Sequence, residues 1–189
     1  MEVTELINDL RLVLIDQRER TRVIEQLPAA NLLYRSTPGA WNVLEVFEHL
    51  NLSSGVYLRG LEDVFARKAD RYPANADFRP GWLGNWFTQG MRPKPDGDIN
   101  WRMRTMKMFD PARQQGASKE SMDRFIVLCD GFLALLMKAP TTDLNAMRVT
   151  SSLGPIIRFK AGDAFRFPVA HQQRHFLQIE RLLHQAEQG

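Results

Sequence analysis

The sequence contains a single cysteine among its 189 residues, which limits the classes of protein to which it can belong. One cysteine cannot form an internal disulfide, so a disulfide-stapled scaffold is excluded and a reducing compartment is favoured. The residue, Cys129, ends the apolar run FIVLC at residues 125–129. This position predicts a buried structural thiol rather than a nucleophile.

Long hydrophobic runs are also missing. The longest uninterrupted apolar stretches, such as residues 132–137, are far shorter than the roughly 20 residues that a membrane-spanning helix needs. The first residues, MEVTE, are acidic where a signal peptide is basic, and no apolar segment follows them. We therefore expect a cytoplasmic protein that does not insert into a membrane.

The chain has no long run of residues with the same charge sign, and its formal net charge is +3. The densest basic cluster, formed by Arg102, Arg104 and Lys107, is interleaved with Met and Phe. This pattern favours a solvated loop over a nucleic-acid-binding stripe, so no nucleic-acid partner is expected. The apolar fraction of 44% and the length suit an ordinary globular protein, and we expect residues 1–189 to form one domain.

Four segments place apolar residues at helical spacing. In the second, Asn42 followed by Glu45 has the spacing of a capping box. The third is expected to start with Ser118 as its N-cap and to end at Pro140. The fourth contains Pro168, which predicts a kink or an irregular first turn. The predicted helices cover about residues 2–26, 43–68, 118–139, and 161 or 163 to 188.

Residues 71–117 interrupt the helical pattern with five prolines, yet they also carry several aromatic residues. Aromatic content argues against a disordered linker, so we predict an ordered crossover with a short helix near residues 81–89. A lid over a pocket and simple packing against the helices are equally compatible with its length. Residues 156–159 could form a brief strand, although coil is favoured. Together the elements predict an all-α four-helix bundle with a long crossover between the second and third helices.

The histidines are the strongest candidates for a functional site. His171 and His175 lie four residues apart, about 40° around the fourth helix, so that both imidazoles can face one metal ion. His49 falls inside the broad apolar face of the second helix. Burying three imidazoles without partners is costly. They either hydrogen-bond to one another, to Gln17 or to water, or they share a metal with open coordination positions.

Two segments carry a resemblance to a known family. Residues 41–50 (WNVLEVFEHL) resemble the W-[ST]-x-x-E-[VI]-x-x-H-L signature of the DinB-like superfamily, which is distinct from the similarly named DNA polymerase. Residues 170–179 (AHQQRHFLQI) resemble its second signature, A-H-x-x-R-H-x-x-Q. The approach to the last helix, residues 153–164, is also similar, and the likeness extends over essentially the whole chain. Two residues depart from the pattern: Asn42 replaces Ser or Thr, and Pro168 replaces an aliphatic residue.

The resemblance implies a four-helix bundle, frequent homodimers and a metal site, commonly zinc or nickel, formed here by His49, His171 and His175. Members with known activity include bacillithiol-dependent transferases and a mycothiol-dependent maleylpyruvate isomerase, and others are described as metal-dependent hydrolases. We therefore expect a metal-dependent enzyme with a small-molecule substrate, either a hydrolase or a low-molecular-weight-thiol transferase. The alternatives are a non-catalytic metal- or ligand-binding bundle, for example in stress response, and a bundle that holds no metal.

Two polar residues near these histidines are candidate catalytic residues. Glu45, one turn before His49, could orient its imidazole or carry a proton, although a capping role alone is favoured. Gln178, about one turn after His175, could bond a metal-bound water or could be a core amide.

Two further residues of the fourth helix are expected to lie outside the site. Arg174 is offset by about 100° from His175, which favours a surface or dimer-interface charge over substrate binding. His184 lies about 180° from His175 and is predicted to face solvent.

Overall fold

The computed structural model describes residues 1–99, 101, 104–114, 116–154 and 156–188, and this part of the chain is mostly helical, as predicted. Arg102 and Pro155, which belong to patterns discussed above, lie outside the described residues. The helices are α1 (Val3–Glu25), α2 (Ala29–Leu33), α3 (Val43–Lys68), α4 (Trp82–Met91), α5 (Glu120–Lys138) and α6 (Ala161–Gln188), and the strands are β1 (Arg148–Thr150) and β2 (Arg158–Lys160).

The start of α3 is fixed by the predicted capping box. The Glu45 amide donates to Asn42 Oδ1 at 3.0 Å, and the Asn42 amide donates to Glu45 Oε2 at 2.9 Å. Such a cap stabilises a helix by about 1 kcal/mol because it satisfies amides that have no partner within the helix. Arg35 adds a two-pronged ion pair to the same carboxylate, at 2.6 and 2.8 Å.

The four long helices enclose one hydrophobic core. Helix α1 packs on α5 and α6, and α3 packs on the same two helices from the other side. Three fully or almost fully buried rings join these helices at the centre: Phe47 of α3 lies 5.4 Å from Phe125 of α5 and 5.9 Å from Phe176 of α6, measured between ring centroids. Within the described residues, no helix combines the length and apolarity required to cross a bilayer.

Several local predictions were wrong. Residues 158–160 form β2 rather than coil, because they pair antiparallel with β1 and bury Val149 opposite Phe159. Helix α5 begins at Glu120, and Ser118 does not cap it but donates its amide to Ser121 Oγ. The short helix α2 was not foreseen. Pro140 lies in a 3-10 turn directly after α5 and ends that helix as expected.

Helix α6 is continuous through Pro168, so the irregular first turn, one of the two expected outcomes, is wrong; the kink stays a prediction. The helix begins at Ala161, about two turns before the proline. Because proline lacks an amide hydrogen, the Ala164 carbonyl loses one helical hydrogen bond. The ladder resumes beyond it and carries both His171 and His175 on one helix.

A buried ion pair within α6 holds the crossover through hydrogen bonds to it. Asp163 Oδ2 accepts from the amide of Gly81, the residue before α4, at 2.7 Å. Arg166 donates to the same carboxylate at 2.9 Å and to Asn85 of α4 at 3.0 Å. Burial raises the pKa of Asp163 and lowers that of Arg166. Gly84 is required here, since a Cβ at this position would lie 2.6 Å from the Asp163 side chain.

Candidate metal centre

The structure brings the three predicted histidines together. His49 Nε2 lies 3.4 Å from His171 Nε2, which in turn lies 3.1 Å from His175 Nε2. One ligand atom from each ring falls within 4.8 Å of the other two. His49 is buried, at 5% relative exposure, whereas His171 and His175 are partly exposed. The cluster therefore spans α3 and α6 and opens to one side.

Hydrogen bonds on the far side of two rings determine which nitrogens face the centre of the cluster. His49 Nδ1 lies 2.8 Å from the Phe109 carbonyl oxygen, which can only accept, so Nδ1 carries the proton. His175 Nδ1 lies 2.9 Å from Gln178 Oε1, and the same reasoning protonates that nitrogen. Both Nε2 atoms consequently present lone pairs to the centre, and such second partners are typical of metal-binding histidines.

The environment keeps all three imidazoles neutral at physiological pH. Burial lowers the pKa of His49 despite the opposing effect of its bond to Phe109. Burial, reinforced by repulsion from neighbouring histidines, lowers the pKa of His171 well below its ordinary value and that of His175 to about 3. A neutral imidazole is the form that binds a metal ion.

The spacing of the nitrogens suits a divalent transition metal. Bonds of about 2.0–2.1 Å to zinc place two tetrahedral ligands about 3.3 to 3.4 Å apart. Two of the three separations, 3.4 and 3.1 Å, are close to this value, and all three ligand atoms lie within 4.8 Å of one another. If the three rings only hydrogen-bonded to one another, one lone pair would stay unpaired. The single proton that His171 Nε2 can carry cannot bond to both of the facing Nε2 atoms. The donor set therefore fits a three-histidine metal site.

The two candidate catalytic residues differ in their relation to this cluster. Gln178 is bonded directly to His175 and thereby orients its ring. Glu45 is occupied by the cap and by Arg35, and it has no hydrogen bond to an imidazole among the described residues. Gln17 does not reach the histidines either; its amide has no hydrogen-bond partner in the described part of the chain.

An inner cavity of about 100 Å³ begins at the three imidazoles. The crossover supplies part of its wall through Met91, Met106 and Phe109, and α6 supplies Phe167, which stacks on His171 at 6.4 Å between ring centroids. The crossover therefore covers the cavity. Whether it moves as a lid stays a prediction.

A wider outer cavity of about 550 Å³ lies on the other side of His175, and Trp41, Gln178 and Arg181 are among its lining residues. Thr105, Arg174 and His175 line both cavities. Arg174, expected to be a surface or dimer-interface charge, has a partly buried side chain between the cavities, and burial lowers its pKa. A dimer-interface role stays a prediction. The Arg174 guanidinium donates one hydrogen bond to the carbonyl of Trp101.

The predictions for Cys129, His184 and the described part of the basic cluster are confirmed. Cys129 is buried, and burial raises the pKa of its thiol far above the ordinary value. His184 is exposed and bonds to Gln188. Arg104 and Lys107 of the basic cluster are exposed, although Arg104 also lines the inner cavity.

Sequence reasoning missed several residues of the cavity. Phe167 precedes His171 by four residues, and this spacing predicts that it shares the inward face of the histidines but not that it lines a cavity. Tyr57 follows His49 by two turns along α3, and its hydroxyl bonds Ser151 Oγ at 2.7 Å. No local pattern could have identified Phe109 as the partner of His49, since the contact is made by a backbone carbonyl 60 residues away.

Comparison with known proteins gives one result. A family model described as the DinB superfamily matches residues 14–179, a range that contains all three histidines and both candidate catalytic residues. Neither a comparison with curated proteins nor one with solved structures found a match.

Proposed function

The chain belongs to the DinB superfamily, and from that premise we propose that it is a metal-dependent enzyme acting on a small molecule, either as a hydrolase or as a low-molecular-weight-thiol transferase. The observation that carries this proposal is the convergence of three neutral imidazoles, two of which are oriented by hydrogen bonds with their Nε2 lone pairs facing one point. Zinc or nickel is the metal that the family resemblance implies, and imidazole ligands suit both.

In this proposal His49, His171 and His175 hold the metal. When bound, the metal supplies a Lewis acid that lowers the pKa of a water molecule or a thiol toward neutrality. The Phe109 carbonyl and the Gln178 amide keep two of the rings in the binding tautomer. Three protein ligands leave a position open, as in catalytic rather than structural sites. The apolar wall of the inner cavity excludes water from part of the reacting region.

The two cavities favour the transferase over the hydrolase. A hydrolase needs one organic substrate and water, whereas a transferase must hold two organic molecules at the same centre. The wall surface of the inner cavity is mostly apolar, although hydroxyl and guanidinium groups also line it, whereas the outer cavity has a more polar wall that includes amide groups. Because His175 borders both, a thiol in one cavity and its acceptor in the other would meet at the histidine cluster.

Metal analysis of the purified protein tests the ligand assignment. We expect about one equivalent of a transition metal in protein prepared without a polyhistidine tag, and loss of that metal in the His49→Ala variant. His184→Ala is the matched control, since His184 is exposed on α6 far from the cluster. Equal metal content in His49→Ala and the unmodified protein, or no metal even after reconstitution, would contradict the proposal.

Activity assays then separate catalysis from storage. Metal-loaded protein would be incubated with a panel of low-molecular-weight thiols and a chloro-dinitrobenzene-type electrophile, and separately with activated esters. We expect a metal-dependent rate in the thiol assay. A rate no higher than that of metal-free protein in both assays would favour the non-catalytic binding protein.

The fold carries a related proposal. We propose that residues 1–189 form one DinB-type domain in which α1, α3, α5 and α6 make a four-helix bundle. Contacts of α1 and α3 with both α5 and α6 support this architecture, as does the length of the family match. The homodimer implied by the sequence resemblance stays a prediction.

A further inference from the structure

Arg174 brings a positive charge to the cavity that contains the histidine cluster. Its guanidinium is partly buried and donates to the Trp101 carbonyl, yet no carboxylate pairs with it among the described residues. By contrast, the more deeply buried Arg166 is paired with Asp163 at 2.9 Å. Burying an unpaired cation is costly, so a charge left in this state is commonly a binding group for an anion.

The inner cavity that Arg174 lines is also biased toward positive charge. Among its described lining residues none is Asp or Glu, whereas Arg104 contributes a second guanidinium that likewise has no carboxylate partner in the described part of the chain. Apolar side chains, including Met91, Leu153 and Phe167, form much of the remaining wall. A ligand that matches both features carries a negative charge at one end and an apolar body at the other.

We propose that Arg174 binds the carboxylate of a small carboxylic acid whose apolar body occupies the inner cavity. The planar guanidinium offers parallel N–H donors that match the two oxygens of a carboxylate. Arg174 directly precedes His175, so an acid held there lies beside the histidine cluster. Its role as a substrate rests on the proposed function, whereas its binding does not.

A purely structural role for Arg174 is a weaker explanation of the burial. Arg181 lies about two turns further along α6 and also donates to a crossover carbonyl, that of Gly97, at 2.7 Å. It does so from an exposed position and lines only the outer cavity. Tethering the crossover therefore does not require a buried guanidinium at the inner cavity.

The matched variants Arg174→Gln and Arg181→Gln separate the two roles. Each removes one positive charge and one tether from α6 to the crossover, but only the first changes the inner cavity. Binding of hexanoate, its uncharged analogue hexanamide, and inorganic phosphate would be measured by titration calorimetry. Each protein would be used as purified and again after chelation of any metal.

We expect hexanoate to bind at least tenfold more tightly than hexanamide or phosphate, because charge and apolar contact both contribute. Arg174→Gln should lose this preference by about tenfold or more, with and without metal, while Arg181→Gln changes it less than twofold. Thermal unfolding of both variants checks that the fold is retained, and Arg174→Lys, which keeps the charge but not the fork, should recover only part of the affinity.

Three results would overturn the inference. Equal losses in Arg174→Gln and Arg181→Gln would assign the effect to net charge or tethering. Phosphate binding as tight as that of hexanoate would identify a general anion site. Hexanoate binding that disappears on chelation but survives Arg174→Gln would make the metal the anion receptor. Absence of metal combined with Arg174-dependent binding would instead contradict the proposed function alone.

Discussion

At the scale of single residues, the two oriented histidines are held by groups of unequal rigidity. The partner of His49 is the backbone carbonyl of Phe109, which cannot rotate without moving the chain. The partner of His175 is the side-chain amide of Gln178, which can rotate and can exchange its acceptor for its donor. The orientation of His175 is therefore the one that a side-chain substitution can change directly.

Replacing Gln178 by Ala should weaken metal binding by about 10- to 100-fold, since outer partners of ligating histidines contribute this much. Competition with a chelator of known affinity measures the change. Gln185→Ala is the control, because Gln185 is exposed on the same helix and lines only the outer cavity. Similar affinities in the two variants would show that Gln178 does not orient His175.

The neutral histidines also predict how stability depends on pH. His175 has a pKa of about 3 in the folded protein, against about 6.5 in an unfolded chain. Between these values the unfolded state binds more protons, so the free energy of unfolding of metal-free protein should fall as pH decreases from about 6.5 toward 3. The lowered pKa values of His49 and His171 act in the same direction.

Urea unfolding of chelated protein at several pH values between 5 and 7.5 measures this dependence. The variant His175→Gln lacks one of the titrating groups, so its free energy should fall less steeply, by up to one proton. Equal slopes for the variant and the unmodified protein would mean that His175 is not held neutral by burial.

Much of this site could be predicted from the sequence, because its ligands follow helical spacing and a family pattern. His171 and His175 share a helix face by periodicity alone, His49 falls on the buried face of its own helix, and the resemblance joins the three as ligands. Arg174 could not be predicted, since helical offset indicates direction but not what lies opposite. The side chain is partly buried and bonds the Trp101 carbonyl of the crossover, whose path depends on contacts distant in sequence.

At the scale of elements, the attachment of α4 to α6 depends on one buried carboxylate. Asp163 is fully buried and accepts both from Arg166 and from the amide that starts α4. Removing the carboxylate leaves the Gly81 amide without its partner and the buried Arg166 without its counter-charge, with only the hydrogen bond to Asn85 remaining. Breaking a buried pair in this way costs far more than a surface ion pair contributes.

Asp163→Ala should lower the free energy of unfolding by about 3–5 kcal/mol, as measured by urea denaturation. Asp163→Asn is the matched control, because its amide oxygen can still accept from Gly81 and the side-chain volume is retained. We expect a smaller loss in this variant. A change of less than about 1 kcal/mol in Asp163→Ala would contradict an anchoring role.

Some helices and strands could be predicted from sequence patterns, and others could not. Helix α3 was predicted at both ends because a capping box and a long periodic apolar face agree. The two strands have three residues each, too few to establish an alternating pattern, and their pairing joins residues 8 to 12 positions apart in the sequence. Ser118 is a possible N-cap in the sequence. In the structure its backbone amide donates to Ser121 Oγ, and its side chain does not cap the helix.

At the scale of the whole molecule, a metal that joins α3 to α6 should stabilise the native state against unfolding. Ligand at 100 times its dissociation constant contributes about 2.7 kcal/mol, which for a chain of this size corresponds to a rise in Tm of roughly 5–10 °C. Differential scanning calorimetry with zinc and with magnesium tests this. Magnesium is the control because it prefers oxygen ligands, and an equal shift with both ions would argue against the histidine site.

The hydrogen bond between His49 and the Phe109 carbonyl has a consequence for communication within the protein. It makes the crossover part of the same equilibrium as the site, and such linkage is reciprocal: if the crossover position alters metal affinity, metal must alter the crossover by the same factor. We therefore expect metal to slow amide hydrogen exchange around residues 104–111. A ligand that contacts only the crossover would therefore change the metal affinity of the histidines without contacting them.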